Sequence, residues 1–437
     1  MIGTLFYVLL VACVVAALLR HPAPILCASI FLMPMTQAMP SPIGVVSVPI
    51  NLMLVGLAFV PPRSRARIGE PRRLPLRTPI MILVLMMLLG LVIRMIGEAR
   101  GQLYVTSFLQ AVHSTWYLVL AWVVYALVFR QLSRAPQSLI RRMVVICQVS
   151  CAAEGVVAIV DQLRGAERAT GYLQEVNSAG AYYSSTVAFF LAYTLFAGMR
   201  GRVAYIAAML LGLAGVVNSI SRGAMVSTAV SCALVLAVFF TATRKRTGTK
   251  VLVVVAALVI AVNASLLIPQ RTIDRVLLTF GGTVPQGEDE TKIDDSSHQR
   301  LLFWKAGWQL FTEWPLGYGT DTFPQLNEGI TGYRKAAHNV YVSTLVEFGA
   351  QGCLALLALV IAVFVYLRNT YVQAETDEKR SLALGLMGWW AAHATAHFFI
   401  SAFFDVLIYG QFWMLLACLA CMESKPSAVG SVETQVA

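Results

Sequence analysis

His338 stands where the longest polar stretch of this chain gives way to an apolar run. An imidazole titrates near neutral pH, so at such a junction it can exchange protons at the boundary between water and lipid. The segment reads His338-Asn339-Val340-Tyr341-Val342-Ser343-Thr344-Leu345-Val346-Glu347-Phe348-Gly349, and its apolar run continues to about Leu367. As a base, neutral His338 would take the proton of an attacking hydroxyl. Glu347 lies about two and a half helical turns deeper. It can pair within a bundle and fix this helix, but it is too far along the axis to orient His338 directly. An interfacial histidine with only a local hydrogen bond is the plain alternative.

Cations gather in other polar segments. Ser221-Arg222-Gly223 interrupts two apolar runs. Ser221 can cap the next helix, Gly223 permits close approach of a ligand, and the helix start offers free N–H groups with a positive dipole end. Arg222 adds a planar fork suited to phosphate oxygens. Arg300, in Ser296-Ser297-His298-Gln299-Arg300-Leu301, is a second candidate diphosphate ligand, with an ion pair to the preceding acidic stretch as its alternative. Arg168 and Asn177 lie in a further polar loop and offer a cation and a sugar hydrogen bond, and Asn339 is a further candidate substrate contact.

Other polar clusters point to less. Glu288-Asp289-Glu290 and Asp294-Asp295 read as a solvated acidic stretch rather than a divalent-cation site. His393 and His397 have ligand spacing on one helix face, but Asp405 is their one obvious companion. No metal or cofactor is expected. Glu154 sits inside an apolar span and reads as a buried carboxyl with a polar partner. The eight cysteines all lie in apolar runs and read as small packing residues, Cys418-x-x-Cys421 included.

Such groups need a scaffold, and the composition names it. Of 437 residues, 58% are hydrophobic and 13% are charged, half of what soluble domains carry. Apolar runs of membrane-spanning length recur at about 3–19, 24–39, 44–60, 78–97, 107–129, 143–160, 179–198, 203–219, 224–242, 251–268, 341–367, 382–400 and 404–422. The second and third are short and interrupted by proline, so twelve or thirteen passes are expected. The fold class is an all-α polytopic membrane protein with one long external loop. Continuous rather than alternating runs exclude a β-barrel. The first run lacks a convincing small-residue cleavage site and reads as a retained span.

The net charge of +11 does not point to nucleic acid. Nineteen of the 33 lysines and arginines fall in five short connections, 63–77, 130–142, 200–202, 244–250 and 368–380. That is the positive-inside pattern, so the charge orients the chain and meets anionic membrane lipid. With those connections in the cytoplasm, 98–106, 161–178, the turn at 218–223 and the loop 269–340 face outward. The expected organisation is a membrane segment 1–268, an external loop 269–340, C-terminal membrane helices 341–422 and a cytoplasmic, unstructured tail 423–437. Within the loop, Ser296 and Ser297 can start a helix running to about Phe311. Leu301, Trp304, Trp308 and Phe311 then share one face, which suits the membrane surface. Pro315-Leu316-Gly317-Tyr318-Gly319 ends that helix with turn chemistry.

Taken in order, four elements resemble the O-antigen ligase and polymerase superfamily of bacterial inner-membrane glycosyltransferases. They are Thr170-Gly171 through Asn177, Ser221-Arg222-Gly223, the Arg300–Trp304 helix with its Pro315–Gly319 turn, and His338-Asn339 through Glu347 and Gly349. The resemblance covers about residues 168 to 352. It implies transfer of a glycan from a polyprenyl-diphosphate carrier to a hydroxyl on the periplasmic face of the inner membrane. No nucleotide sugar or metal is expected, and the anomeric carbon inverts. Arg222 and Arg300 would hold the diphosphate and His338 would activate the acceptor.

Within the superfamily the acceptor differs. It is lipid A–core for an O-antigen ligase, another lipid-linked repeat unit for a polymerase, and a protein hydroxyl for a protein O-oligosaccharyltransferase. The single long loop and moderate length favour a ligase over a polymerase by a small margin. The short tail after the last span disfavours protein glycosylation. The competing class is a lipid-linked sugar transporter, which would need paired ionisable residues near the midplane and symmetric broken helices. Near the midplane Glu154 stands alone, and hydropathy shows no two-fold repeat.

Overall fold

The structure is a computed structural model, and it describes residues 22–34, 74–100, 108–133, 135–166, 168, 170–173, 175–242, 290–400 and 406–422. The predicted spans 3–19, 44–60 and 251–268, the loop before residue 290 and the tail from 423 lie outside the described residues. Among the described residues all regular structure is helical. The helices are α1 (Pro22–Leu32), α2 (Arg77–Ala99), α3 (Phe108–Leu132), α4 (Gln137–Leu163), α5 (Val176–Phe196) and α6 (Met199–Ser219). They continue as α7 (Arg222–Ala242), α8 (Glu290–Glu313), α9 (Phe323–Thr331), α10 (Val340–Gln373), α11 (Asp377–Ala396) and α12 (Val406–Cys421).

Five of these helices, α2, α4, α6, α7 and α10, are long and apolar enough to cross a membrane, and α1, α3 and α12 contain shorter apolar helices. The chain is an all-helical polytopic membrane protein. At its centre α5 and α11 pack on each other, and α6 and α7 cover α5. Both central helices are buried almost all round. A helix with no lipid-facing side can carry polar groups if its own backbone absorbs them. Ser184, Ser185 and Thr186 donate to the carbonyls of Gly180, Ala181 and Tyr183 at 2.7, 2.8 and 2.9 Å.

In lipid, close packing and polar contacts replace the hydrophobic drive between helices. Small residues bring the backbones together: a Cβ on Gly215 would stand 2.6 Å from the Tyr183 ring, and one on Gly388 would stand 2.9 Å from Ala188. A buried amide ties four helices. Gln411 of α12 accepts from the Tyr182 hydroxyl at 2.7 Å and donates to the Ile30 carbonyl at 2.7 Å and to Ser150 Oγ at 3.0 Å. Each such bond contributes about 0.6 kcal/mol in a bilayer.

At one end of the bundle two of the basic connections, 130–142 and 368–380, meet: Arg141 pairs with Glu378 at 3.0 Å, and Lys379 donates to the Met422 carbonyl at 3.1 Å. Helix α5 begins at the opposite end, about 30 Å away for 21 residues. There the starts of α7 and α10 and the whole of α8 collect.

Two expectations are corrected here. Helix α8 begins at Glu290, so Ser296 and Ser297 lie inside it rather than at its cap. Its outward face holds Leu301 and Trp308, 54% and 62% exposed, but Trp304 turns inward and donates its indole N–H to the Ala337 carbonyl at 3.2 Å. Half-buried, Trp304 packs against Phe303, Leu310 and Phe323, which form a small separate core, and its indole finds a carbonyl partner there.

Candidate active site

Three helix starts converge at one end of the bundle. Helix α5 opens at Glu175, whose carboxylate accepts from the backbone N–H groups of Asn177 and Ser178. Helix α7 opens after a tight turn in which Ile220 is left-handed, with φ 51°. Ser221 Oγ accepts from the Ala224 amide at 3.4 Å and donates to Asn177 Oδ1 at 3.3 Å, joining the first two starts. Helix α10 opens at Asn339, whose side chain accepts from the amides of Tyr341 and Val342 at 2.9 and 3.1 Å.

The turn that follows α11 is the shared floor. The Val340 amide donates to the His397 carbonyl at 2.8 Å. Two residues on, Phe399 fills the space beside Gly223, where a Cβ would stand 2.7 Å from the Phe399 Cβ. The close approach anticipated at Gly223 is therefore made by a ring of the protein itself. The sequence had marked one helix start as an anion site, at Ser221. The structure brings a second and a third beside it; the Glu175 carboxylate answers the dipole of the α5 start, while those of α7 and α10 add positive potential.

Cations line this place. Arg222 is the first residue of α7 and is half-buried. Arg300 of α8 is half-buried as well, and its charge acts on His338. The 335–338 segment is strapped to α8 by the Trp304 indole and by Lys335, which donates to Gln299 Oε1 at 3.3 Å. Arg168 donates to the Ser219 carbonyl at 2.9 Å, closing the turn between α6 and α7 from outside. Asn177 is held by Glu175 and Ser221. The six predicted positions Arg168, Asn177, Ser221, Arg222, Arg300 and His338 thus share one end of the bundle, with Asn339 beneath.

His338 is half-buried, and its backbone is left-handed, with φ 48°, immediately before the Asn339 cap. Burial holds its imidazole below the usual histidine range, and the charges of Arg300 and Lys335 push the same way. Glu175 acts in the opposite sense. The net effect leaves His338 neutral at neutral pH, the state in which an imidazole accepts a proton. Sequence reasoning passed over Glu175. Its one signal was its place just before the Val176–Phe196 run, where a carboxylate caps a helix.

Glu347 is placed elsewhere, at the far end of the first stretch of α10. That helix is broken at Gly349, with φ 70° and ψ −169°. The turn after α8 grips the break. Tyr318 and Gly319 donate to the carbonyls of Val346 and Glu347 at 2.9 Å each, and Ala350 donates to the Pro315 carbonyl at 3.0 Å. Glu347 Oε1 accepts from the Phe323 amide at 3.4 Å, at the start of α9. The 315–319 turn, read from sequence as a helix stop, is also a clamp on the strand of chain that carries His338.

The remaining clusters have local uses. His393 accepts from the Trp389 indole at 2.6 Å, and both His393 and His397 are buried. Their predicted companion Asp405 lies outside the described residues, as do Glu288 and Asp289. Glu154 faces Tyr183 and Gly171, since a Cβ on Gly171 would stand 2.5 Å from the tyrosine hydroxyl and 2.7 Å from Glu154 Oε2.

Residues 207–357 match the family model described as O-Antigen ligase. The match begins inside α6, spans the Ser221 turn, Arg300 and His338, and ends just past the Gly349 break. No curated protein matches the chain.

Proposed function

We propose that this chain, whose residues 207–357 match the family model described as O-Antigen ligase, belongs to the O-antigen ligase and polymerase superfamily and moves a glycan from a polyprenyl-diphosphate carrier to an acceptor hydroxyl. The observation that carries this reading is the docking of the α7 and α10 starts on the turn that follows α11, which sets Arg222 and His338 at the same end of the bundle, with the charge of Arg300 acting on His338. A diphosphate sits there under two guanidinium forks and near helix N-termini. Its isoprenoid tail lies along the bilayer-facing helices.

The chemistry then follows. Neutral His338 takes the proton of the acceptor hydroxyl as its oxygen attacks the anomeric carbon. The bond from that carbon to the diphosphate oxygen breaks, and the carrier leaves as polyprenyl diphosphate. Arg222 and Arg300 stabilise the charge that grows on the departing oxygens. Attack opposite the leaving group inverts the anomeric centre. The diphosphate is already a good leaving group, so the paired carboxylates of a glycosidase are not needed. Two guanidinium groups also supply the charge that a metal would otherwise bring.

The site faces the periplasm of the bacterial inner membrane in this reading, because the opposite end carries the basic connections. Lipid A–core is the proposed acceptor, which makes the chain an O-antigen ligase. Purified protein in liposomes, given polyprenyl-diphosphate-linked glycan with and without lipid A–core in EDTA, tests the whole proposal. Glycan on lipid A–core supports it. Longer glycan on the carrier instead makes the chain a polymerase, and loss of transfer in EDTA refutes metal independence. Labelled lipid crossing the bilayer with no covalent product makes it a transporter.

A further inference from the structure

Arg94 lies near the end of α2, more than a hundred residues before the family-matched segment, and it is completely buried. A buried guanidinium is costly unless oxygen atoms take up its protons. Here the Nη1 group donates to the carbonyls of Thr320 and Asp321 at 2.7 and 3.3 Å, and Nε pairs with Glu98 at 3.3 Å. Its charge also acts on the Glu347 carboxyl.

The helix around it is moulded to the same turn. The Thr320 amide donates to the Gly90 carbonyl at 3.3 Å. A Cβ on Gly319 would stand 2.9 Å from the Arg94 backbone nitrogen, and one on Gly90 would stand 2.5 Å from the Phe348 ring. Thus α2 grips the 315–321 turn, and that turn grips Val346, Glu347 and Ala350. The stretch 340–348 is held at its other end by the Val340 bond to the α11 carbonyl. It is a short rod fixed at both ends, and His338 projects just beyond one of them.

We propose that Arg94 is a positioning residue for the transfer reaction, holding the far end of the 340–348 rod so that His338 is aimed at the acceptor. This inference rests on the glycan-transfer reading above. It does not place Arg94 in contact with substrate. Displacements of about 1 Å at a reacting group cost on the order of a hundredfold in rate. Arg222 sits on α7, away from the rod and the turn, and Arg300 sits on α8 upstream of the turn, so the loss falls mainly on kcat.

The test compares wild type, Arg94→Met and Arg94→Lys, each purified and checked for a single detergent-solubilised species, in steady-state transfer with varied donor. Methionine fills the space without donors. Lysine keeps the charge, but its single nitrogen cannot stand where both Nη1 and Nε of Arg94 do. The expected result is kcat reduced about tenfold to a hundredfold in Arg94→Met, partly restored in Arg94→Lys, with the donor KM within about twofold of wild type. Unchanged kcat in both variants, or a loss carried by KM alone, overturns the proposal. Should Arg94→Met not accumulate, Arg94→Lys decides: kcat below wild type supports the proposal and wild-type kcat overturns it. Absence of transfer by wild type itself refutes the glycan-transfer reading, and is thereby distinguished from failure of the Arg94 inference.

Discussion

Gly317 and Gly349 interlock so closely that a Cβ on Gly317 would stand 2.5 Å from the Gly349 amide nitrogen, and one on Gly349 would stand 2.5 Å from the Pro315 carbonyl oxygen. Both have positive φ, 91° and 70°. The break in α10 and the turn after α8 are therefore one joint, built from two segments about thirty residues apart.

Gly349→Ala should damage that joint. The φ and ψ of Gly349 fall in a region that is essentially reserved for glycine, so backbone strain alone costs about 1–3 kcal/mol. The added methyl group also collides with the Pro315–Leu316 backbone. Thermal unfolding in detergent should show a clear loss of stability. A midpoint equal to wild type would mean that the joint is looser than described.

His338→Ala should lower transfer by about 10²- to 10⁴-fold, the range for loss of a general base. Protein level and donor binding should hold. The pH profile gives a sharper test. Burial and the cations Arg300 and Lys335 hold the His338 pKa down, so the acid limb of kcat/KM should lie below about 6.5. Lys335→Gln removes a cation and should move that limb up, while Glu175→Gln removes an anion and should move it down. Shifts of the same sign in both variants would contradict His338 as the titrating base.

Arg222→Lys keeps the charge but loses the planar fork. A hydrogen bond to a charged group is worth about 1.5–3 kcal/mol, so kcat/KM should fall about tenfold to a hundredfold. Isothermal titration with polyprenyl diphosphate should show the matching loss of affinity. Wild-type affinity in the lysine variant would rule out two-point binding of the diphosphate.

Trp308 should sit among lipid headgroups. It is 62% exposed on α8, with Leu301 exposed one face-length before it and Trp314 and Leu316 exposed just after the helix. Amphipathic rings favour that depth. Brominated lipids in liposomes should quench the Trp308 fluorescence, measured as the difference from Trp308→Phe. Quenching by aqueous iodide alone would place α8 away from the membrane.

Much of this was legible from local pattern. Apolar runs gave the helices because each run must satisfy its own backbone in lipid. The start of α7 at Ser221 and the stop after Glu313 followed from capping and turn residues. The junction at His338 was visible as a change of polarity. What stayed hidden depends on distant partners. Arg94 shows only Glu98 as a local partner until its carbonyl partners, more than two hundred residues away, are seen. Gly349 looks like any glycine in a membrane helix, since the clamp that breaks the helix comes from another segment. Trp304 shares its spacing with the outward residues, and only the Ala337 carbonyl shows why it turns in.

The central position of α11 has a consequence for biogenesis. Membrane chains are made and inserted from the N-terminus onward, and α11 is among the later helices. Until it arrives, α5 lacks the neighbour that shields its hydroxyl-rich middle, and the Val340 amide and Gly223 lack their floor. A nascent chain halted before residue 377 would carry Arg222, Arg300 and His338 without the framework that gathers them. On the glycan-transfer reading proposed above, competence for transfer is therefore a late event in synthesis.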